Sequence, residues 1–305
     1  MSSAILYSIG NFTIDDIVLW PSGENWMGQP GGNALFGAIG ARIWLDSVGL
    51  LARLGCDYPA HRLDEIRARG IRLGLCPTDA RTLHDWALYE ADGARQFVNH
   101  LNSSHNDEMT LAPDEIPPEH RDGQAFHLAP VPTDQQAALV ETLRRPGRLI
   151  SLDPHEWWIK GYEGTLERVL AQIDFFLPSR VEARQLYGAD DPEQAARALA
   201  RLGPRVVVIK LGREGSLVYE SATGRLTHVP IYPAVALDPT GAGDSYCGGF
   251  LAGYLLTQDA VRAAQHGTVS ASYVVEAIGA LATATPSPDE ARARLAYLEA
   301  RTLVV

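Results

Sequence analysis

Only two of the 305 residues are lysines, Lys160 and Lys210, and arginine does not restore a basic balance. Lys plus Arg comes to 26 against 37 for Asp plus Glu, a formal net charge of −11. This excludes nucleic acid or an anionic membrane face as the main partner, because both draw their affinity from clustered positive charge. A local basic pocket for a small phosphate stays compatible with it. Cysteine is equally scarce: Cys56, Cys76 and Cys247 cannot all pair within one chain, and none forms a C-x-x-C. That excludes a disulfide framework and points to reduced thiols, hence to a cytoplasmic protein. No apolar run reaches the roughly 18 residues of a membrane span. The opening MSSAILYSIG has no basic stretch leading into a long apolar one, so no secretory leader is expected. The nine histidines include no H-E-x-x-H, so a catalytic zinc is not expected. With G-x-x-x-x-G-K-[ST] also missing, a Walker-type nucleotide loop is excluded.

What is present is an ordinary globular composition, 46% hydrophobic and 21% charged, long enough for one large domain or a domain with an appendage. Short apolar runs alternate with longer helical segments. The strand candidates are Ala4–Ile9, Ser47–Ala52, Gln124–Ala129, Arg148–Asp153, Ile173–Pro178, Arg205–Lys210 and Ser216–Tyr219. They are too short for core helices and rich in β-branched or aromatic residues, as strands buried on both faces are. Three helix starts carry a cap residue three positions before Glu or Gln: Thr133 with Gln136, Asp191-Pro192 with Gln194, and Ser287-Pro288 with Glu290. The alternation predicts an α/β fold, a mostly parallel sheet covered on both faces.

Two stretches break this rhythm. Residues 81–100 read as extended runs around Asp92-Gly93, a hairpin signal. With the Gly-, Pro- and Trp-rich stretch from Asn11 to Gly32, they are expected to build a small β-structured flap. Residues 105–120, acidic and proline-bearing, read as a connection back to the main body.

The chemistry concentrates in Asp238–Leu251, DPTGAGDSYCGGFL. Gly241-Ala242-Gly243 before Asp244 and a small-residue helix places backbone N–H groups at a helix N-terminus, where they and the helix dipole can hold an anion. Asp244 at the mouth of such a site suits a general base that takes a proton from a hydroxyl attacking a bound phosphoryl group. An ordinary glycine-rich turn is the plain alternative. A dinucleotide fingerprint is disfavoured, because GAGDSY lacks a third glycine and lies late in the chain.

The segment DPTGAGDSYCGGFL resembles the C-terminal signature of the ribokinase-like, or PfkB, carbohydrate kinases. Other landmarks follow in that family's order: Gly10-Asn-Phe-Thr-Ile-Asp15, Gly31-Gly32-Asn33, Val48 to Asp57, Asp92-Gly93, Ser151-Leu-Asp153-Pro154, Ser179-Arg-Val-Glu182 and Lys210-Leu-Gly212-Arg-Glu-Gly215. The resemblance implies a three-layer sandwich with a mostly parallel sheet and a small β-lid made by about 11–32 and 81–100, within one domain over 1–305. It implies ATP and Mg²⁺, and phosphorylation of a small sugar, sugar acid or nucleoside alcohol. Carried over residue by residue, Asp244 is the base, and the N–H groups of Ala242, Gly243 and Asp244 form the anion hole. Asp15, Gly32 and Asn33 bind substrate hydroxyls, and Lys210, Gly212 and Gly215 pass under the nucleotide. Glu182 orients Mg²⁺-bound water, and Asp238 with the Thr240 carbonyl binds a monovalent cation such as K⁺.

Three departures stand out. Ser179 and His155 replace the family's asparagines in Asn-x-x-Glu and Asp-Pro-Asn, and Asn33 follows Gly32 without a spacer. A catalytically silent small-molecule sensor on the same fold is the alternative of a different class. His84 and Trp86 would share one face of a lid strand, facing substrate or packing the lid. Trp157-Trp158 reads as core, and Arg72, Arg81 and Arg95 as surface charge or as grips for an acidic sugar. Exposed lid edges would suit a homodimer through the lid.

Overall fold

The computed structural model describes residues 5–19, 22–89 and 95–305. In chain order the strands are β1 (Leu6–Ile9), β2 (Thr13–Leu19), β3 (Glu24–Gly31), β4 (Val48–Leu54), β5 (Ile71–Pro77), β6 (Leu83–Tyr89) and β7 (Arg95–Asn99). They continue with β8 (Ala125–Leu128), β9 (Leu149–Leu152), β10 (Phe175–Phe176), β11 (Val206–Lys210), β12 (Ser216–Glu220), β13 (Arg225–Val229) and β14 (Leu303–Val304). The helices are α1 (Asn33–Arg42), α2 (Ala60–Ala68), α3 (Asn106–Met109), α4 (Thr133–Leu143), α5 (Glu163–Leu170), α6 (Arg180–Tyr187), α7 (Pro192–Ala200), α8 (Ala242–Thr257), α9 (Ala260–Val275) and α10 (Pro288–Glu299).

Ten strands form one sheet in the order β14-β13-β12-β11-β10-β9-β8-β1-β4-β5. From β11 through β5 every pairing is parallel, and β12, β13 and β14 add antiparallel strands at one edge. All seven candidate strands lie in this sheet, although Ala4, the start of the first, is outside the described residues. Their unbroken apolar runs follow from burial on both faces. In β11, Val206 and Val208 enter one core with Phe250 of α8 and Ala263 of α9, while Val207 and Ile209 enter the other with Leu139 of α4 and Ala196 of α7. Period-two alternation thus feeds two helical layers from one strand.

Capping follows local chemistry, with one correction. Asp191 accepts from Gln194 N–H at 3.0 Å, and Ser287 and Glu290 form a reciprocal capping box. Thr133 does not cap α4: Pro132 is the cap residue, and the Thr133 hydroxyl donates to the Trp158 carbonyl. Gln136 turns inward and donates to the carbonyls of Ala129 and Asp153. A buried carbonyl pair outcompetes a cap that water can replace.

A second sheet of four strands, β3-β2-β6-β7, stands beside the first. Its β2–β6 pairing is parallel and the other two are antiparallel. The Asp92-Gly93 hairpin expectation falls outside the described residues. Trp157 overturns the core reading of Trp157-Trp158, since it is 69% exposed and His155 lies against both tryptophan rings. Cys56 is exposed, Cys76 partly buried and Cys247 buried, all as free thiols. No helix among the described residues is long and apolar enough to cross a membrane.

Candidate active site

The C-terminal ends of the parallel strands converge on the N-terminus of α8, where ligands gather in open α/β sheets. Gly241 caps α8 at φ 73°, a left-handed conformation, and a side chain there would meet the Phe36 ring at 2.1 Å. Glycine is required on both counts. As a glycine it offers no capping side chain of its own. Of the three N–H groups expected to form an anion hole, that of Ala242 donates to the Pro239 carbonyl at 3.2 Å. That N–H is thus engaged within the turn, and the positive pole of the helix lies at the residues that follow.

Lys210 ends β11 and reaches this turn. Its Nζ lies 3.6 Å from where a Gly243 side chain would begin, donates to Asp153 Oδ2 at the end of β9, and sits 3.6 Å from Cys247 Sγ. Burial by itself would depress the lysine pKa, but Asp153, then Cys247 and Glu182, raise it above the ordinary lysine value. Burial pushes Asp153 up to about 7 against the pull of Lys210, with Glu182 and Asp244 adding like-charge repulsion. One ammonium thus stands among three carboxylates. Asp153 Oδ1 is buried without a hydrogen-bond partner. That orphaned oxygen suits a hard divalent cation such as Mg²⁺, while Glu182 and Asp244 bear on Asp153 through their charge. Glu182 shares a capping box with Ser179: Oε2 accepts from Ser179 N–H at 2.5 Å and Ser179 Oγ from Glu182 N–H at 3.4 Å. Serine is a strong cap where the family has asparagine, so the exchange keeps the helix start. Gly212 and Gly215 flank the short turn after β11, with φ of 61° and 91°.

On the opposite side stands Asp15, in β2 of the small sheet. It is buried, and Thr13 Oγ1 donates to it at 2.7 Å. Burial, then the like charges of Asp85, Asp238 and Asp16, raise its carboxyl to about 7 despite the Thr13 hydrogen bond. Gly32 caps α1, and Asn33 opens that helix. The Asn33 amide is already engaged: Oδ1 accepts from Asn11 N–H at 2.7 Å and Nδ2 donates to the Pro130 carbonyl at 2.6 Å. Asp238 accepts from the Tyr89 hydroxyl of β6 and from Thr240 N–H, 2.8 Å, on Oδ1, and from Gly279 N–H, 3.4 Å, on Oδ2. Tyr89 thereby ties the small sheet to the loop that leads into α8.

Asp15 carries a testable pH signature. Its folded pKa lies above the unfolded value of 3.8, so the folded state holds the proton more tightly and stability falls as pH rises from about 4 to 7. Asp15→Asn removes this penalty. Its melting temperature is expected to match wild type at pH 4 and exceed it at pH 8, a gain of at most about 4 kcal/mol. Equal differences at both pH values would show that Asp15 is not held protonated.

Sequence reading missed Asp153, Tyr89 and Cys247 as members of the site; Asp153 stood in a quoted landmark but carried no role. It also gave no sign of a cluster on the other face of the small sheet. There Asp16 Oδ2 lies 3.0 Å from Nε2 of both His84 and His100, whose rings stack at 3.8 Å, and Trp86 stacks on His100. His84 and Trp86 do share a face, and their rings pack the small sheet. A cavity of about 550 Å³ lined by Asp57, Arg81, Thr82, His84, Trp86 and His100, among others, opens there. It contains neither Asp15 nor Asp244, so it is not the site of the chemistry. Arg81 is paired with Asp57 at 2.9 Å, and the Arg95 side chain lies outside the described residues.

Residues 17–288 match the model of the pfkB family carbohydrate kinases. The chain belongs to that family. A cytidine kinase of Thermococcus kodakarensis is 31% identical over 252 residues, 82% of this chain and 88% of that one. A fructokinase of Klebsiella pneumoniae is 29% identical over 268 residues, 81% and 83%. The fold is shared with an Escherichia coli chain solved in complex with ATP and Mg²⁺, at a TM-score of 0.80 and 21% identity, covering 97% of this kinase and all of that chain.

Proposed function

We propose that this kinase transfers the terminal phosphoryl group of ATP to a hydroxyl of a small sugar, sugar acid or nucleoside. One observation carries the reading: Asp244 stands in the first turn of α8, directly after a left-handed glycine cap with no side chain of its own, with Lys210 alongside. An anion is favoured where the helix pole and the ammonium point, and a base is useful at the edge of that anion. Asp244 takes the proton of the attacking hydroxyl. The Gly241-Ala242-Gly243 turn and Lys210 hold the charge on the transferring group, and Asp15, Gly32 and Asn33 orient the acceptor. Gly212 and Gly215 leave room for the nucleotide. Mg²⁺, held through Asp153 and through water on Glu182, supplies charge neutralisation across the phosphates. Asp238 and the Thr240 carbonyl are the proposed ligands of K⁺. The small sheet acts as a lid, with β3 and β7 as the outer strands of its four and a route to a homodimer. The cytidine kinase relative favours a nucleoside as the second reading of the acceptor.

A coupled assay of ADP release over pentoses, hexoses, keto-acids and nucleosides tests the reading, and no acceptor-dependent release from any class would refute it. Glu182→Gln is expected to raise the Mg²⁺ concentration for half-maximal rate several-fold, with Ser179→Asn tolerated. A wild-type Mg²⁺ dependence in Glu182→Gln would remove Glu182 from the metal's surroundings.

A further inference from the structure

The acceptor side of the cleft holds more carboxylate than one hydroxyl requires. In the small sheet Asp15 pairs with Gln29 on one side and Asp85 on the other, and Asp85 pairs with Asn99. Residues paired across strands project to the same face, about 4.8 Å apart. Gln29, Asp15, Asp85 and Asn99 therefore form one polar row across all four strands. The next row is apolar: Trp26, Ile17, Ala87 and Phe97. Ile17 and Ala87 of that row pack toward Ile278 of the main body, which fixes this face as the one turned to the cleft. Asn99 Nδ2 donates to Asp85 Oδ1 at 2.5 Å, which orients the carboxylate.

The charge around the row is one-sided. The cationic groups that bear on Asp85 are the imidazoles of His84 and His100 behind it, and Arg81 is committed to Asp57. Asp15 and Asp85 repel each other, and burial adds to that cost. Hydroxyl donors between them relieve it, and a third carboxylate would worsen it.

We propose that Asp85 is a second acceptor-binding carboxylate, and that the acceptor is an uncharged polyol, a neutral sugar or a nucleoside, which donates neighbouring hydroxyls to Asp15 and Asp85 while sugar acids are rejected. The inference rests on the acceptor site proposed above. Spacing of about 4.8 Å between paired residues suits two adjacent hydroxyls, each reaching one carboxylate. Asp85, and Asp15 once the pH exceeds about 7, act as the repulsive element of the specificity against an anion, expected to reach about 100-fold.

Binding and turnover are measured separately. Isothermal titration of the wild-type kinase with D-fructose, D-ribose, cytidine and D-gluconate, with a non-hydrolysable ATP analogue present, reads recognition without chemistry. At least one neutral compound is expected to bind 100-fold more tightly than D-gluconate. Asp85→Asn is expected to weaken that compound 10- to 100-fold, to leave the analogue's affinity unchanged and to narrow the gap to D-gluconate. Asn99→Ala, which frees Asp85 without removing it, is expected to give a smaller loss in the same direction. D-gluconate bound as well as the neutral compounds, no binding by any of the four, or Asp85→Asn with wild-type affinity would each overturn the proposal. Binding with this pattern but no ADP release in the coupled assay would refute the kinase reading and leave the acceptor assignment standing.

Discussion

Asparagine in place of Asp244 is expected to lower kcat about 10²- to 10⁴-fold, with both KM values within a few-fold of wild type. The substitution keeps the size of the side chain and leaves the backbone of the Gly241–Gly243 turn untouched, so phosphate binding at the α8 N-terminus persists. What it removes is the capacity to accept a proton as the acceptor oxygen attacks. The loss should therefore fall on the chemical step. Asp153, another carboxylate beside Lys210, is not expected to stand in, since its Oδ2 is committed to the lysine and its Oδ1 is the proposed Mg²⁺ ligand. Steady-state kinetics with the acceptor found by the screen, and a binding titration with an ATP analogue, separate the two effects. Turnover near wild type would show that the proton leaves by another route.

The second large effect is expected at a residue that has no side chain. Gly248 lies one turn past Asp244 on α8, and a methyl group there would sit 1.9 Å from the Gly37 carbonyl oxygen of α1. The reverse approach is as tight, with a Gly40 side chain meeting the Ser245 carbonyl oxygen at 2.1 Å. Both obstacles are backbone, so no side chain can rotate away. Gly248→Ala must move one helix, at a cost of about 1–3 kcal/mol, the range for overpacking. The helix that moves carries the anion-binding turn and Asp244, and a displacement of about 1 Å in such groups lowers turnover roughly 100-fold. Urea unfolding and kcat should therefore fall together. Wild-type values of both would mean that the two helices have slack at this crossing.

The strands legible in the chain were those buried on both faces, because an unbroken apolar run in a short segment has few other uses. The ones not foreseen in the main sheet, β5, β13 and β14, lie toward its edges. Arg72 and Gly74 interrupt β5, Thr227 and His228 interrupt β13, and β14 has two residues. An edge strand needs only one covered face, so its pattern dilutes into that of a loop. Trp157 misled in the opposite sense: aromatic bulk suggests burial, but the contacts that would bury it depend on a turn whose position no local rule predicts. The glycine turn with Asp244 in the first turn of α8 was legible because a helix start is a local arrangement, complete within a few residues.

Composition and local pattern by themselves determined that this chain is an acidic α/β protein, with a buried parallel sheet and a glycine-rich helix start bearing a carboxylate. Those properties depend on neighbours in sequence, through alternation, capping and the backbone freedom of glycine. Only the tertiary structure decided that Lys210 serves Asp153 and the α8 turn at once, that Tyr89 ties the small sheet to Asp238, and that Asp16, His84 and His100 meet. It alone decided that Asp85 stands beside Asp15, 70 positions away in the chain and next to it across one strand pairing. Each of these contacts joins residues that no local period connects, and each is set by register and by how closely two glycine-bearing helices can approach.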